Sequence, residues 1–158
     1  IRHNRLTTIL KNLFNNKILS LFSTIGGGYG NCIATASASY NFIGGGQNNC
    51  IISTAGIGAI VSGYLNTSSA QYGFIGAGTL NNASGRCSAL VGGQSNTVSN
   101  IYAFVGAGKS NTASGAHSTI AGGLNGNATG NRSVVAAMPK FKQALHEGWK
   151  QGNNRGMK

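Results

Sequence analysis

Three groups of residues in this chain have types and spacings that chemistry can use, and each demands a particular setting. Residues 103–110 read AFVGAGKS, a relaxed form of the glycine-rich loop that cradles phosphates. That loop works only if a helix starts directly after the lysine and an acid is at hand to hold Mg²⁺. The chain has one acidic residue, Glu147, and Lys109 is followed by SNTASG rather than by a helical pattern, so a nucleotide site is not expected. The second group is Cys32, Cys50 and Cys87 with His3, His117 and His146. Their separations match no zinc-ligand spacing, and no metal is expected. The third is Asn66, Asn82, Asn127 and Asn131, each opening an Asn-x-Ser/Thr acceptor triplet. A sequence this rich in Asn, Ser and Thr produces such triplets by composition alone. General acid–base or nucleophilic catalysis needs titratable groups held together. This chain supplies almost none between residues 23 and 138, so the expectation is a protein that is not an enzyme and carries no cofactor.

If the residues do not act singly, the elements that carry them become the question. Twenty-six glycines, one proline and 41% hydrophobic residues in 158 fit neither collagen nor an ordinary flexible linker. Such a bias calls for a search for an internal period. Aligned on a branched apolar residue, the chain falls into register at Ile25, Ile43, Ile60, Ile75, Leu90, Val105, Ile120 and Val135. The first two steps are 18 and 17 residues and every later step is 15. Three residues after each of the first seven anchors stands Gly28, Gly46, Gly63, Gly78, Gly93, Gly108 or Gly123. Six after it stands Asn31, Asn49, Asn66, Asn81, Asn96 or Asn111, with Gly126 breaking the series. Eight after it comes Ile33, Ile51, Ser68, Ala83, Val98, Ala113 or Ala128.

Fifteen residues hold two short strands and two tight turns, but not a strand, a helix and their connections. The pattern therefore predicts an all-β fold, a parallel β-solenoid or β-roll of about 15 residues per coil, with short helical ends. Coils about 4.8 Å apart, stacked about eight times, make a rod on the order of 38 Å long. The glycine is expected at a first corner with positive φ or close backbone approach. The asparagine is expected at a second corner, in the left-handed region, with the identical amides stacked as a ladder. Cys32 and Cys50, each seven residues past an anchor, should stack on adjacent coils. Free thiols are the favoured state there, a disulfide the alternative.

A second period lies on the first. Tyr40 and Phe42, Tyr72 and Phe74, and Tyr102 and Phe104 precede alternate anchors, while Ile57 and Ala59, Cys87 and Ala89, and His117 and Thr119 take the same places between them. Strand alternation puts these side chains on one face, opposite the anchors. An exposed aromatic ridge is a liability for a monomer, so these six aromatics are expected to form a subunit interface or a ligand ridge. Ice binding would want unbroken threonine ranks, and Phe42, Phe74 and Phe104 interrupt the one holding Thr24 and Thr119.

The strings STIGGG (23–28), NNASG (81–85), NTASG (111–115) and STIAGG (118–123) resemble the head repeats of trimeric autotransporter adhesins, and similar repeats in fibres of phages and large viruses. The resemblance covers roughly residues 23–137. It implies an interlocked homotrimer of narrow parallel β-rolls that binds matrix, a host-surface receptor or glycan.

The two ends differ from the shaft. Residues 1–22 form a basic segment with a roughly helical apolar stripe, read as a cap on the first coil, with a targeting segment or a membrane-surface helix as alternatives. The chain does not begin with Met and is expected to be a processed or partial product. Residues 139–158 begin at Pro139 and place Phe141, Leu145 and Trp149 at helical spacing. Arg2, Arg5, Lys11 and Lys17 precede the repeats of residues 23–138, and Lys140, Lys142, Lys150, Arg155 and Lys158 follow them. Two basic ends on a nearly neutral shaft suit polyanions such as nucleic acid or an anionic membrane surface; solvated tails that keep the shaft soluble are the other reading. The sequence thus predicts an extracellular, cell-surface or virion fibre module, with an internal virion or nucleoid component gripping nucleic acid as the runner-up.

Overall fold

Fifteen residues close into a coil only where the backbone reverses sharply at fixed points. The structure, a computed structural model, describes residues 13–35, 40–52 and 56–136. Among them sixteen strands form two eight-stranded sheets, every pairing parallel. The odd-numbered strands are β1 (Lys17–Ile18), β3 (Cys32–Ile33), β5 (Cys50–Ile51), β7 (Thr67–Ser68), β9 (Asn82–Ala83), β11 (Thr97–Val98), β13 (Thr112–Ala113) and β15 (Asn127–Ala128). The even-numbered strands are β2 (Thr24–Ile25), β4 (Phe42–Ile43), β6 (Ala59–Ile60), β8 (Phe74–Ile75), β10 (Ala89–Leu90), β12 (Phe104–Val105), β14 (Thr119–Gly122) and β16 (Val134–Ala136). Each set stacks in chain order, so the chain is a β-solenoid of about eight coils. The sheets place anchor over anchor, as in Ile75 between Ile60 and Leu90.

The coil has more paired sides than two strands provide. Tyr29, Gln47, Tyr64, Thr79, Gln94, Lys109 and Leu124, four residues after the anchors, form a third parallel ladder of single bridges. The two long early steps do not disturb this. The distance from anchor to second strand stays at eight residues, and the added residues fall between Ile33 and Phe42 and between Ile51 and Ala59.

Both corner expectations can be checked against backbone angles. The glycines three after the anchors all have positive φ, from 84° at Gly28 to 114° at Gly123. At Gly78 (φ 104°) an added Cβ would also run into the carbonyl oxygen of Gly93 on the next coil. The asparagine expectation needs correction. Asn31, Asn49, Asn66, Asn81, Asn96 and Asn111 are buried and do not adopt the left-handed region. The residue before each does: Gly30, Asn48, Leu65, Leu80, Ser95 and Ser110. A left-handed residue turns its peptide over, and the hydrogen bonds show it. Thr79 N donates forward to Gly93 O (2.9 Å), whereas Leu80 N donates backward to Tyr64 O (2.9 Å).

The next amide also points backward, and the asparagine column receives it. Asn81 N donates to Asn66 Oδ1 (3.0 Å), and Asn81 Oδ1 accepts from Asn96 N (3.0 Å). Asn81 Nδ2 donates to Ala77 O in its own turn (3.1 Å) and to Gly93 O on the next coil (3.0 Å). The ladder starts at Asn16, whose Oδ1 accepts from Asn31 N (2.9 Å), and ends where Gly126 N donates to Asn111 Oδ1 (2.7 Å).

The start of the stack also differs from the sequence boundary at 23. β1 is already in register with β3, so Lys17 stands on the shaft, paired with Cys32, rather than ahead of it. Residues 13–15 make one 3₁₀ turn with Phe14 at φ 64°, so the helical stripe does not extend through residues 13–22. Among the described residues there is no α-helix. The expected C-terminal helix, residues 1–12, and the cations Arg2, Arg5, Lys11, Lys140, Lys142, Lys150, Arg155 and Lys158 lie outside the described residues.

The core is two facing columns, one from each sheet. Ile33, Ile43, Ile51, Ile60, Ile75, Leu90, Val98, Val105 and Ile120 are fully buried, with Ser68, Ala83 and Ala113 completing the second column. Small residues two before the anchors, Ser88, Ala103 and Ser118, let the opposite walls close over it.

Two pairs of substitutions test this account by thermal unfolding. Gly78→Ala places a side chain at positive φ and against Gly93 O, and is expected to cost about 2 kcal/mol or more. Gly45→Ala, with open space around it, should stay within about 0.5 kcal/mol. Asn96→Ala strips partners from Gly92 O, Gly108 O and Asn111 N, and is expected to cost about 3 kcal/mol. Exposed Asn82→Ala should be nearly silent. Equal effects within either pair would refute the corner assignment.

Candidate interaction face

Strand alternation leaves two columns of side chains pointing outward from the even-numbered sheet, one residue before and one after each anchor. The column before runs Phe42, Ala59, Phe74, Ala89, Phe104, Thr119, directly paired rung to rung. The column after runs Gly44, Val61, Gly76, Val91, Gly106, Ala121. The two alternate in opposite phase. Where the first carries Phe the second carries Gly, and where the first carries Ala the second carries Val.

The glycines have a steric cause in the backbone: a Cβ added at Gly44, Gly76 or Gly106 would run into the carbonyl oxygen of Val61, Val91 or Ala121 on the next coil. It would also stand in ordinary contact with the Phe42 ring at Gly44 (3.4 Å) and with the Phe104 ring at Gly106 (3.6 Å). Those rings lie along their own strands over the glycine, and the valines fill the rungs between. The result is a flat apolar face rather than a ridge. From Phe42 to Phe104 it runs about 19 Å at the parallel rung spacing. Much of it faces solvent, with Phe42 and Phe74 44% and 39% exposed and Val61 and Val91 46% and 50%. The glycine–valine column was legible in the sequence, five places in strict alternation, once the anchor register was known.

The tyrosines part company with the phenylalanines. Tyr72 and Tyr102 are not on strands but in a second column of left-handed corners, with φ 60° and 55°. Cys87, His117 and Arg132 hold the same place on other coils. Strand alternation therefore did not apply at this position, and the expected single aromatic surface divides into a phenylalanine face and a tyrosine corner. Tyr40, on one of the long coils, stacks on Phe22 with ring centroids 5.1 Å apart.

The other candidates fall into place on the coils. Lys109 sits in the single-bridge ladder between Gln94 and Leu124, and β13 follows it where a phosphate loop needs a helix. Asn66 is fully buried in the asparagine ladder, which removes it as a glycosylation acceptor; Asn82, Asn127 and Asn131 are exposed. Thr24 and Thr119 share their column with the phenylalanines, as expected. No group of three or more metal-binding side chains exists among the described residues.

Against protein-family models and against curated proteins, the sequence finds no significant match.

Cys32 and Cys50 are register partners on β3 and β5, half-buried and free. Burial, the neighbouring Cys32 charge and a hydrogen bond to Cys32 push the Cys50 thiol up to about 12 from 9.0. The folded chain therefore holds this proton more tightly than the unfolded chain. Its contribution to stability is complete below about pH 9 and is lost as pH rises towards about 12. At pH 8, iodoacetamide followed by peptide mass spectrometry should leave Cys50 unmodified in folded protein and modify it in urea. Rapid labelling of Cys50 in the folded protein would contradict the assignment.

Proposed function

We propose that this chain is the shaft module of a homotrimeric surface fibre, structural and adhesive rather than enzymatic, on a cell or virion. The observation that carries this reading is the flat apolar face of the even-numbered sheet. A monomer rarely leaves so continuous an apolar strip in water. The two-column core gives each coil few buried side chains of its own, so covering this face adds the apolar burial that a lone coil lacks. A second copy is the natural cover, because a level apolar face repeating every two rungs matches an identical face laid against it. The number three comes from the resemblance to trimeric adhesin heads. Those repeats also suggest what the outer surfaces do, which is to hold matrix, host surface or glycan along a stiff rod.

Sedimentation or light scattering of the intact chain tests the assembly. The expected mass is three times the 16.1 kDa chain. Phe74→Ala with Phe104→Ala removes two interface rings and should raise the dissociation constant at least about 100-fold, since buried interface aromatics often carry 1–2 kcal/mol or more each. Ile75→Val, one methylene inside the core, should leave the mass unchanged. A monodisperse, stable monomer would refute the proposal.

A further inference from the structure

The second left-handed corner has a chemistry of its own. On consecutive coils it presents Tyr72, Arg86 with Cys87, Tyr102, His117 and Arg132, all on one edge of the rod. Tyr72 and Tyr102 are each 49% exposed, and Arg86, His117 and Arg132 are exposed as well. The Tyr102 and His117 rings stack with centroids 5.0 Å apart and planes 26° from parallel. The backbone beneath them is fixed by rung-to-rung bonds: Tyr102 N to Arg86 O (3.0 Å), His117 N to Ile101 O (2.9 Å) and Arg132 N to Ala116 O (2.8 Å). The edge is thus a pre-set row of rings rather than a mobile loop, which lowers the ordering cost of binding. Arg86, one place before the corner on its coil, and Arg132, at the corner, stand on backbone rungs three apart, about 14 Å. The chain's one acid, Glu147, lies outside the described residues, so within them neither arginine has a carboxylate partner.

We propose that this corner binds an acidic oligosaccharide, the C–H face of a sugar ring lying on Tyr72 or on the Tyr102–His117 stack and carboxylates pairing with Arg86 and Arg132. Aromatic rings supply apolar contact to the flat face of a pyranose. Guanidinium groups pair carboxylates through two parallel hydrogen bonds. The spacing of the charges selects the polymer. A nucleic-acid strand carries a charge about every 3.4 Å and would leave most phosphates unmatched over this edge. A polysaccharide with one carboxylate per disaccharide has the lower charge density that two arginines suit. This inference rests on the adhesive reading above and names the ligand class, but not on the trimer, because the corner is a different surface from the phenylalanine face.

The test uses the full chain and a hyaluronan decasaccharide at 150 mM salt, with binding followed by calorimetry and mass measured on the same samples. Saturable binding is expected. Tyr102→Ala should weaken it at least tenfold, as should Arg86→Ala combined with Arg132→Ala, while Tyr102→Phe stays within twofold of the parent. Lys140→Gln, Lys142→Gln and Lys150→Gln together should also change it less than twofold. Absence of saturable binding would overturn the proposal. So would a loss confined to the terminal lysine variant, equal affinity for the neutral hexamer of N-acetylglucosamine, or tighter binding of a ten-residue oligothymidylate. Binding that obeys these expectations on a chain of monomer mass would uphold the corner and overturn the assembly reading.

Discussion

The structure depends on how the amides at one corner are satisfied. A coil that closes every fifteen residues must turn its peptides out of the direction in which its strands bond. After Thr79 bonds forward, the amides of Leu80 and Asn81 both point back to the preceding coil. The first finds a carbonyl, and the second finds a side-chain amide oxygen from the asparagine below. Each asparagine thus replaces a missing carbonyl for the coil after it, and its own amide nitrogen closes two further carbonyls. No other side chain combines that acceptor and those two donors on so short a stem. The column tolerates little else until Gly126 ends it.

This requirement explains why the core can be so thin. Each coil buries only its anchor and the residue eight later, and hydrophobic burial alone would leave such a coil marginal. Backbone satisfaction between coils supplies rigidity that the core does not, because an unpaired buried amide or carbonyl costs more than a made one gains. It also explains the lengthened early coils. Added residues are accepted between the second strand and the next anchor, away from the asparagine corner, and refused on the side that carries it.

The surfaces divide along the same geometry. The position before each anchor lies on a strand and the one after it just beyond the strand end, and together they present a level face on which bulky and small residues alternate in opposite phase. The corner three residues before the anchor belongs to no strand and projects its side chain from an edge. Phenylalanine on the first builds a face suited to a second flat surface. Tyrosine on the second, with histidine and arginine on neighbouring rungs, builds a row suited to a narrow polymer. In the proposed reading, assembly would use one surface and binding the other, so the two roles would not compete for the same residues.

The repeat, the anchors, the buried second column, the positive-φ glycines and the stacking of Cys32 on Cys50 were all written in the sequence, because each rests on periodicity or on a residue with one structural use. The asparagine ladder was legible as a column but not as a core feature. Asparagine serves equally well at an exposed left-handed corner, and only the direction of the Leu80 amide decides between them. The left-handed corners themselves left no mark. Leu65, Leu80, Ser95, Tyr72, Cys87, Tyr102 and His117 share no property that favours positive φ, and each would cost on the order of 1–2 kcal/mol there in isolation. Their conformation is imposed by hydrogen bonds to the coils above and below, which a local reading does not contain. For the same reason the sequence placed Tyr72 and Tyr102 on one face with the phenylalanines, and only the closed coil, by turning the chain over at those residues, moved them to its edge.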